Sequence, residues 1–139
     1  MRTYRNWPAN YPDPNWFLHD RFGLFIHFGL FSIGARHEWF MTTEKIEPTT
    51  YRENYFSQFD PDLFNAEEWA QTAKKAGFQY MVFTTKHHEG FALWDTALSD
   101  YKVTNTPFKR DLLAELLPAF RKVGIKVGLY HSLIDWYHP

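Results

Sequence analysis

A chain of 139 residues, 45% hydrophobic and 22% charged, is long enough for one modest domain with a buried core. Its 15 Lys and Arg are interspersed with 16 Asp and Glu, so the clustered basic excess of a nucleic-acid binder is absent. No cysteine is present for a disulfide or thiolate zinc site, and no run approaches the ~18 apolar residues that span a bilayer.

Residues 1–20 are rich in Pro, Asn and Trp and predict an irregular lead-in. They contain no apolar stretch of the secretory-signal kind, which leaves the compartment unknown with the cytoplasm slightly favoured. "RFGLFIHFG", Arg21 to Gly29, is a short apolar run bounded by glycine and predicts a strand. "FNAEEWAQTAKKAG" predicts a helix: Asn65 caps it, with Glu68 as the capping-box partner. Ala66, Trp69, Ala70 and Ala73 form its apolar face, and Gly77 supplies the stop. "FQYMVFTTK" is continuously apolar at its centre, as a strand covered on both faces should be.

"RDLLAELLPAFRKVG" predicts a second helix, with Leu113, Leu116, Leu117 and Phe120 at helical spacing and Gly124 at its end. Pro118 inside it predicts a kink or a split. "IKVGLYHS" then predicts a third strand. The order β-α-β-α-β argues for an α/β fold with a parallel sheet and right-handed crossovers. The connections from strand to helix, roughly Leu30 to Phe64 and His87 to Lys109, are long and leave the carboxyl ends of strands. In parallel α/β folds that edge is the ligand face.

The same edge collects polar rings. His27 lies near the end of the first strand, His87 and His88 at the end of the second, and Tyr130 and His131 at the end of the third. A single histidine there would be an ordinary structural residue; matching positions on three strands argue for a site. Continued strand geometry would send His87 and His88 to opposite faces. "HEWF" in the first long connection adds Glu38 and Trp39. A carboxylate accepts from hydroxyls and an indole covers an apolar ring face, which are the needs of a sugar site. A metal is the rival occupant, but neither H-x-H nor H-E-x-x-H occurs, and neighbouring histidines on a strand do not converge on one ion. Glycine-rich phosphate loops and serine or cysteine nucleophile motifs are also missing.

"RFGLFIHFGLFS", "HEWF", "TTKHHEGFALWD" and "VGLYHSLIDWYHP", in this order, resemble the amino-terminal part of glycoside hydrolase family 29 α-L-fucosidases. The resemblance runs from about Trp16 to the last residue. It implies a (β/α)8 TIM-like catalytic barrel that cleaves terminal α-L-fucose with retention, without metal or cofactor. It also implies that His27, Glu38, Trp39, His87 and His88 hold fucose hydroxyls, and that Tyr130 or His131 occupies a further pocket position. Glu89 is assigned to local structure.

In the family the nucleophile is an aspartate at the end of the next strand, in a stretch like W-S/N-D-G, and the acid/base carboxylate lies further on. This sequence reaches Pro139 before either, and Asp95 and Asp135 do not sit in such a motif. A retaining glycosidase needs two carboxyl groups about 5 Å apart. The expectation is therefore an incomplete barrel of three parallel strands and two main helices over residues 1–139, inactive alone. Its parent activity is α-L-fucoside hydrolysis on fucosyl glycans, with neither nucleic acid nor membrane as partner. A complementary carboxyl-terminal chain, or self-association through open sheet edges, would complete it. The alternatives are a stand-alone fucose- or glycan-binding module without catalysis, or a truncated inactive product.

Overall fold

The computed structural model describes residues 8–138. Residues 1–7 of the expected irregular lead-in lie outside them, and Asn15–His19 within it form a short helix, α1. Three strands follow, β1 (Gly23–Ile26), β2 (Tyr80–Lys86) and β3 (Lys126–His131), all parallel, in spatial order β1-β2-β3. Two helices make the crossovers, α5 (Ala66–Lys75) before β2 and α6 (Leu112–Lys122) before β3.

Register shows which side chains share a face. Leu24, Met81 and Val127 are level with one another, as are Ile26, Phe83 and Leu129. This is the helix side: Met81 and Phe83 are fully buried in a core shared with Ala70, Ala73, Leu116 and Phe120. Side chains alternate along a strand, so Phe25, Val82 and Gly128 point to the other face. No described helix covers that second face, and Phe25 remains 50% exposed there. The expected cover on both sides of β2 is thus complete only on one.

Local chemistry explains the helix bounds. Asn65 accepts a hydrogen bond from the Glu68 amide at 3.1 Å, satisfying one of the free N–H groups of the first turn. At the other end Gly77 takes φ +91°, which an L side chain resists. Phe78 N–H then reaches Ala73 O and Gly77 N–H reaches Lys74 O, the two bonds of a Schellman stop. The Asp111 carboxylate caps α6 in the same manner, accepting from the Ala114 amide at 2.9 Å.

Of the kink or split expected at Pro118, the split does not occur: α6 runs unbroken through it. Proline removes the bond that would run to the Ala114 carbonyl, but Ala114 and Pro118 are both exposed, so water can serve the freed oxygen. The first long connection is also more ordered than its composition suggests. It holds α2 (Phe31–Gly34), α3 (Phe40–Thr43) and α4 (Pro48–Tyr55), whose Tyr51 and Phe40 are buried. Pro48 stands in the first turn of α4, where a missing N–H costs nothing.

Candidate functional site

Two buried threonines set the strand ends. Thr84 Oγ1 lies 3.2 Å from the Phe28 amide, which donates to it, and 3.3 Å from the Ile26 carbonyl, fixing where β1 stops. Thr85 Oγ1 donates to the Tyr130 carbonyl at 2.9 Å, fixing β3 on the other side. Between Thr84 and Lys86 the pairing with β3 slips by one residue, since Thr84 pairs with Tyr130 and Lys86 with His131. Such a bulge reverses the sense of alternation beyond it.

After the slip the chain turns: the Gly90 amide bonds to the His87 carbonyl at 3.1 Å, with Gly90 at φ +83°. His87 and His88 therefore do not splay to opposite faces. Their rings lie 4.2 Å apart between centroids, because strand geometry ends at Lys86.

The rings form one cluster on the face opposite α5 and α6. His87 contacts His27 at 5.6 Å and stacks on Tyr130 at 5.8 Å, while Phe25 stacks on His27 at 4.7 Å. His88 contacts Trp39 and Trp136, each at 5.1 Å, and the two indoles are 5.3 Å apart. The Trp136 amide, bonded to the His88 carbonyl at 2.7 Å, pins that segment in place. Glu38 lies near enough for its charge to favour protonation of both His87 and His88.

His131 is not in this cluster. It sits on the helix side of β3, 5.6 Å from the Trp94 ring and 3.4 Å from Thr85 Oγ1. Tyr130, one residue earlier, faces the histidines. Of the two candidates at the end of β3, the geometry joins Tyr130 to the others.

Burial, then the like charges of His88 and His27, push His87 down to about 4. Burial also lowers His88. Both rings are therefore neutral at neutral pH, each with one donor and one acceptor nitrogen. Glu89, directly after them, is 2% exposed, and its carboxyl is pushed up to about 8 by burial.

The remaining carboxylates nearby are structural. Asp135 pairs with Lys86 at 2.9 Å and accepts from the Tyr137 and His138 amides; Asp95 pairs with Lys102 at 2.8 Å and accepts from Thr104. Among the described residues, no group of three His, Cys, Asp or Glu side chains is arranged to hold a metal ion. The cluster offers neutral donors, acceptors and aromatic walls, which suits hydroxyl-rich ligands.

Phe25 and Trp136 went unnoticed in the sequence. Phe25 lies two residues before His27 and so shares its face, a signal that alternation contains. Trp136 arrives through a hydrogen bond to a residue 48 positions away, and no local pattern announces that.

The family model described as Alpha-L-fucosidase matches residues 3–139. Tissue alpha-L-fucosidase of Homo sapiens is 41% identical over 152 residues, which covers 96% of this chain and 33% of that protein. Alpha-L-fucosidase isoenzyme 1 from Paenibacillus thiaminolyticus superposes with a TM-score of 0.87 at 55% identity, over 91% of this chain and 30% of that one. A GH29 alpha-L-fucosidase from Bacteroides thetaiotaomicron, solved as a trapped covalent intermediate with 2-fluoro-fucosyl fluoride, gives a TM-score of 0.88 at 37% identity. That match covers 96% of this chain and 33% of the other. The chain belongs to the alpha-L-fucosidase family. It spans about a third of the length of these relatives.

Proposed function

We propose that these residues form the sugar-binding side of an α-L-fucosidase pocket, and that the whole enzyme hydrolyses terminal α-L-fucosides with retention. The observation that carries this is the convergence of His27, His87, His88, Tyr130, Trp39 and Trp136 at one sheet edge. Neutral imidazoles and the Tyr130 hydroxyl can exchange hydrogen bonds with sugar hydroxyls, and the Glu38 carboxylate accepts from them. Phe25 adds an apolar ring beside His27. A 6-deoxy sugar presents both hydroxyls and a methyl group, which such a mixture matches.

The complete fold is proposed to be a (β/α)8 barrel. Among the described residues the outer edges of β1 and β3 have no strand partner and no helix covers the second face of the sheet; the barrel's other strands would pair and pack there. Two carboxyl groups about 5 Å apart are needed for retention. Glu38 is the one carboxylate of the cluster not sealed in the core, so the polypeptide of residues 1–139 alone is proposed to bind fucose without cleaving it.

The test is a chimera in which residues 1–139 replace the matching third of the Paenibacillus enzyme. It should hydrolyse an aryl α-L-fucoside and lose that activity on His27→Ala. A folded chimera without turnover would contradict the proposal.

A further inference from the structure

Glu89 lies beneath the ring cluster, and the sugar-binding reading leaves it unused. Its side chain is 2% exposed, and Oε2 has no hydrogen-bond partner. The nearest nitrogen is His87 Nδ1, 3.7 Å away, which is itself buried and without a partner. The other carboxyl oxygen, Oε1, is wedged against Gly29, where an added Cβ would come within 2.9 Å. The Gly90 turn holds both residues in this relation. Among the described residues no hydrogen bond reaches His87 Nε2, on the far side of the ring, and it is not sealed without a partner as Nδ1 is. Two unpaired buried polar atoms thus face each other, while the one ring nitrogen open to a ligand lies opposite.

We infer that Glu89 is a positioning residue for His87: its buried carboxyl engages Nδ1 and so decides whether Nε2 meets a ligand as donor or acceptor. The inference rests on the sugar-pocket reading only for what the ligand is. Burial raises the carboxyl to about 8 and keeps the His87 ring neutral, so at pH 7 the proton resides on Glu89 and is offered to Nδ1. The ring's own proton is then on Nε2, a donor. On deprotonation the Glu89 proton passes to the adjacent Nδ1 while the Nε2 proton leaves to solvent. The carboxylate then accepts from Nδ1–H, and Nε2 becomes an acceptor.

The groups around the pair that burial or ion pairing shifts keep one state over that range. Tyr51 from α4 and Tyr101 from the loop after β2 are raised by burial and stay neutral. Asp135, after β3, stays ionised: burial works to raise it, but the Lys86 hydrogen bond and two backbone amides hold it low. His88 is kept neutral by burial against the Glu38 charge, and His27 faces the same ring.

The experiment is two-bond 1H–15N correlation of the His87 ring in the 15N-labelled 139-residue protein, titrated from pH 6.5 to 9 without sugar. Loss of the signals in His87→Gln assigns them. The expected result is Nε2–H at pH 7 and a crossover to Nδ1–H centred near 8. Glu89→Gln, which can donate but cannot ionise, should keep Nε2–H throughout, and Glu89→Leu should abolish the crossover. A wild-type ring with Nδ1–H at pH 7, or with one tautomer across the whole range, would overturn the inference even if the leucine variant fails to fold. L-fucose is then titrated into the wild-type protein as a separate arm. Absence of binding with an intact crossover sinks the sugar reading and leaves the Glu89 role standing.

Discussion

His88 Nδ1 lies 2.7 Å from Ser132 Oγ, and the Ser132 hydroxyl spends its proton on the Ile134 carbonyl, also at 2.7 Å. The hydroxyl must then accept from His88, which fixes the proton on Nδ1 and leaves Nε2 as an acceptor. A serine directly after β3 thus sets the chemistry of a ring in the turn that follows β2. Ser132 is 3% exposed, so its removal strands the buried His88 Nδ1 without a partner. Ser132→Ala should destabilise the fold by about 1–3 kcal/mol. Urea unfolding gives that value, and ring 15N shifts should show His88 as a mixture of tautomers.

Tyr130 and His131 are adjacent in sequence and separated by the sheet. Tyr130→Phe removes one hydroxyl from the ring cluster and should weaken L-fucose binding by roughly 0.5–1.5 kcal/mol. His131→Ala removes a ring that contacts Trp94 and Thr85 and should leave the affinity unchanged. Titration calorimetry on both variants separates them. Equal losses would mean that the face assignment is wrong.

Gly90 is constrained twice. Its φ is +83°, and a Cβ there would collide with Asp135 Oδ1, the carboxylate paired with Lys86. Gly90→Ala should cost about 1–3 kcal/mol and loosen the turn that places His87 and His88. Thermal melts and the ring shifts of both histidines report the two effects together.

The crossover architecture was legible because each part has a local cause. Asn65 caps, Gly77 stops, and the alanines of α5 repeat at helical spacing. The site was legible to the level of strand ends, since His27, His87, His88 and Tyr130 all meet there. Their facing was not. It depends on a one-residue slip after Thr84 and on hydrogen bonds from Thr84 and Thr85 to neighbouring strands. Period-two alternation carried past Lys86 sends the two histidines apart, whereas the turn at Gly90 brings them together. α4 was hidden because Tyr51, its buried residue, sits in a polar stretch with no clear apolar stripe.

Stability should depend on pH through two buried groups of opposite sign. His87 is lowered to about 4, so unfolded chains bind more protons below the ordinary histidine value of ~6.5, and its contribution is lost as pH falls through 6.5 to 4. Glu89 is raised to about 8, so the native state retains a proton that the unfolded state releases above ~4.3. That contribution declines as pH rises toward 8. Between pH 6.5 and 8 only the Glu89 effect operates. The melting temperature should therefore fall across that window in wild type and flatten in Glu89→Gln.

The central claim is that the ring cluster is a fucose site, and histidine and tryptophan side-chain shifts during an L-fucose titration test it most directly. Saturable shifts are expected at His27, His87, His88, Trp39 and Trp136, with His131 and His19 silent. D-glucose at the same concentration should move none of them. Shifts confined to His131 and Trp94, or no saturable shift anywhere in a folded protein, would contradict it.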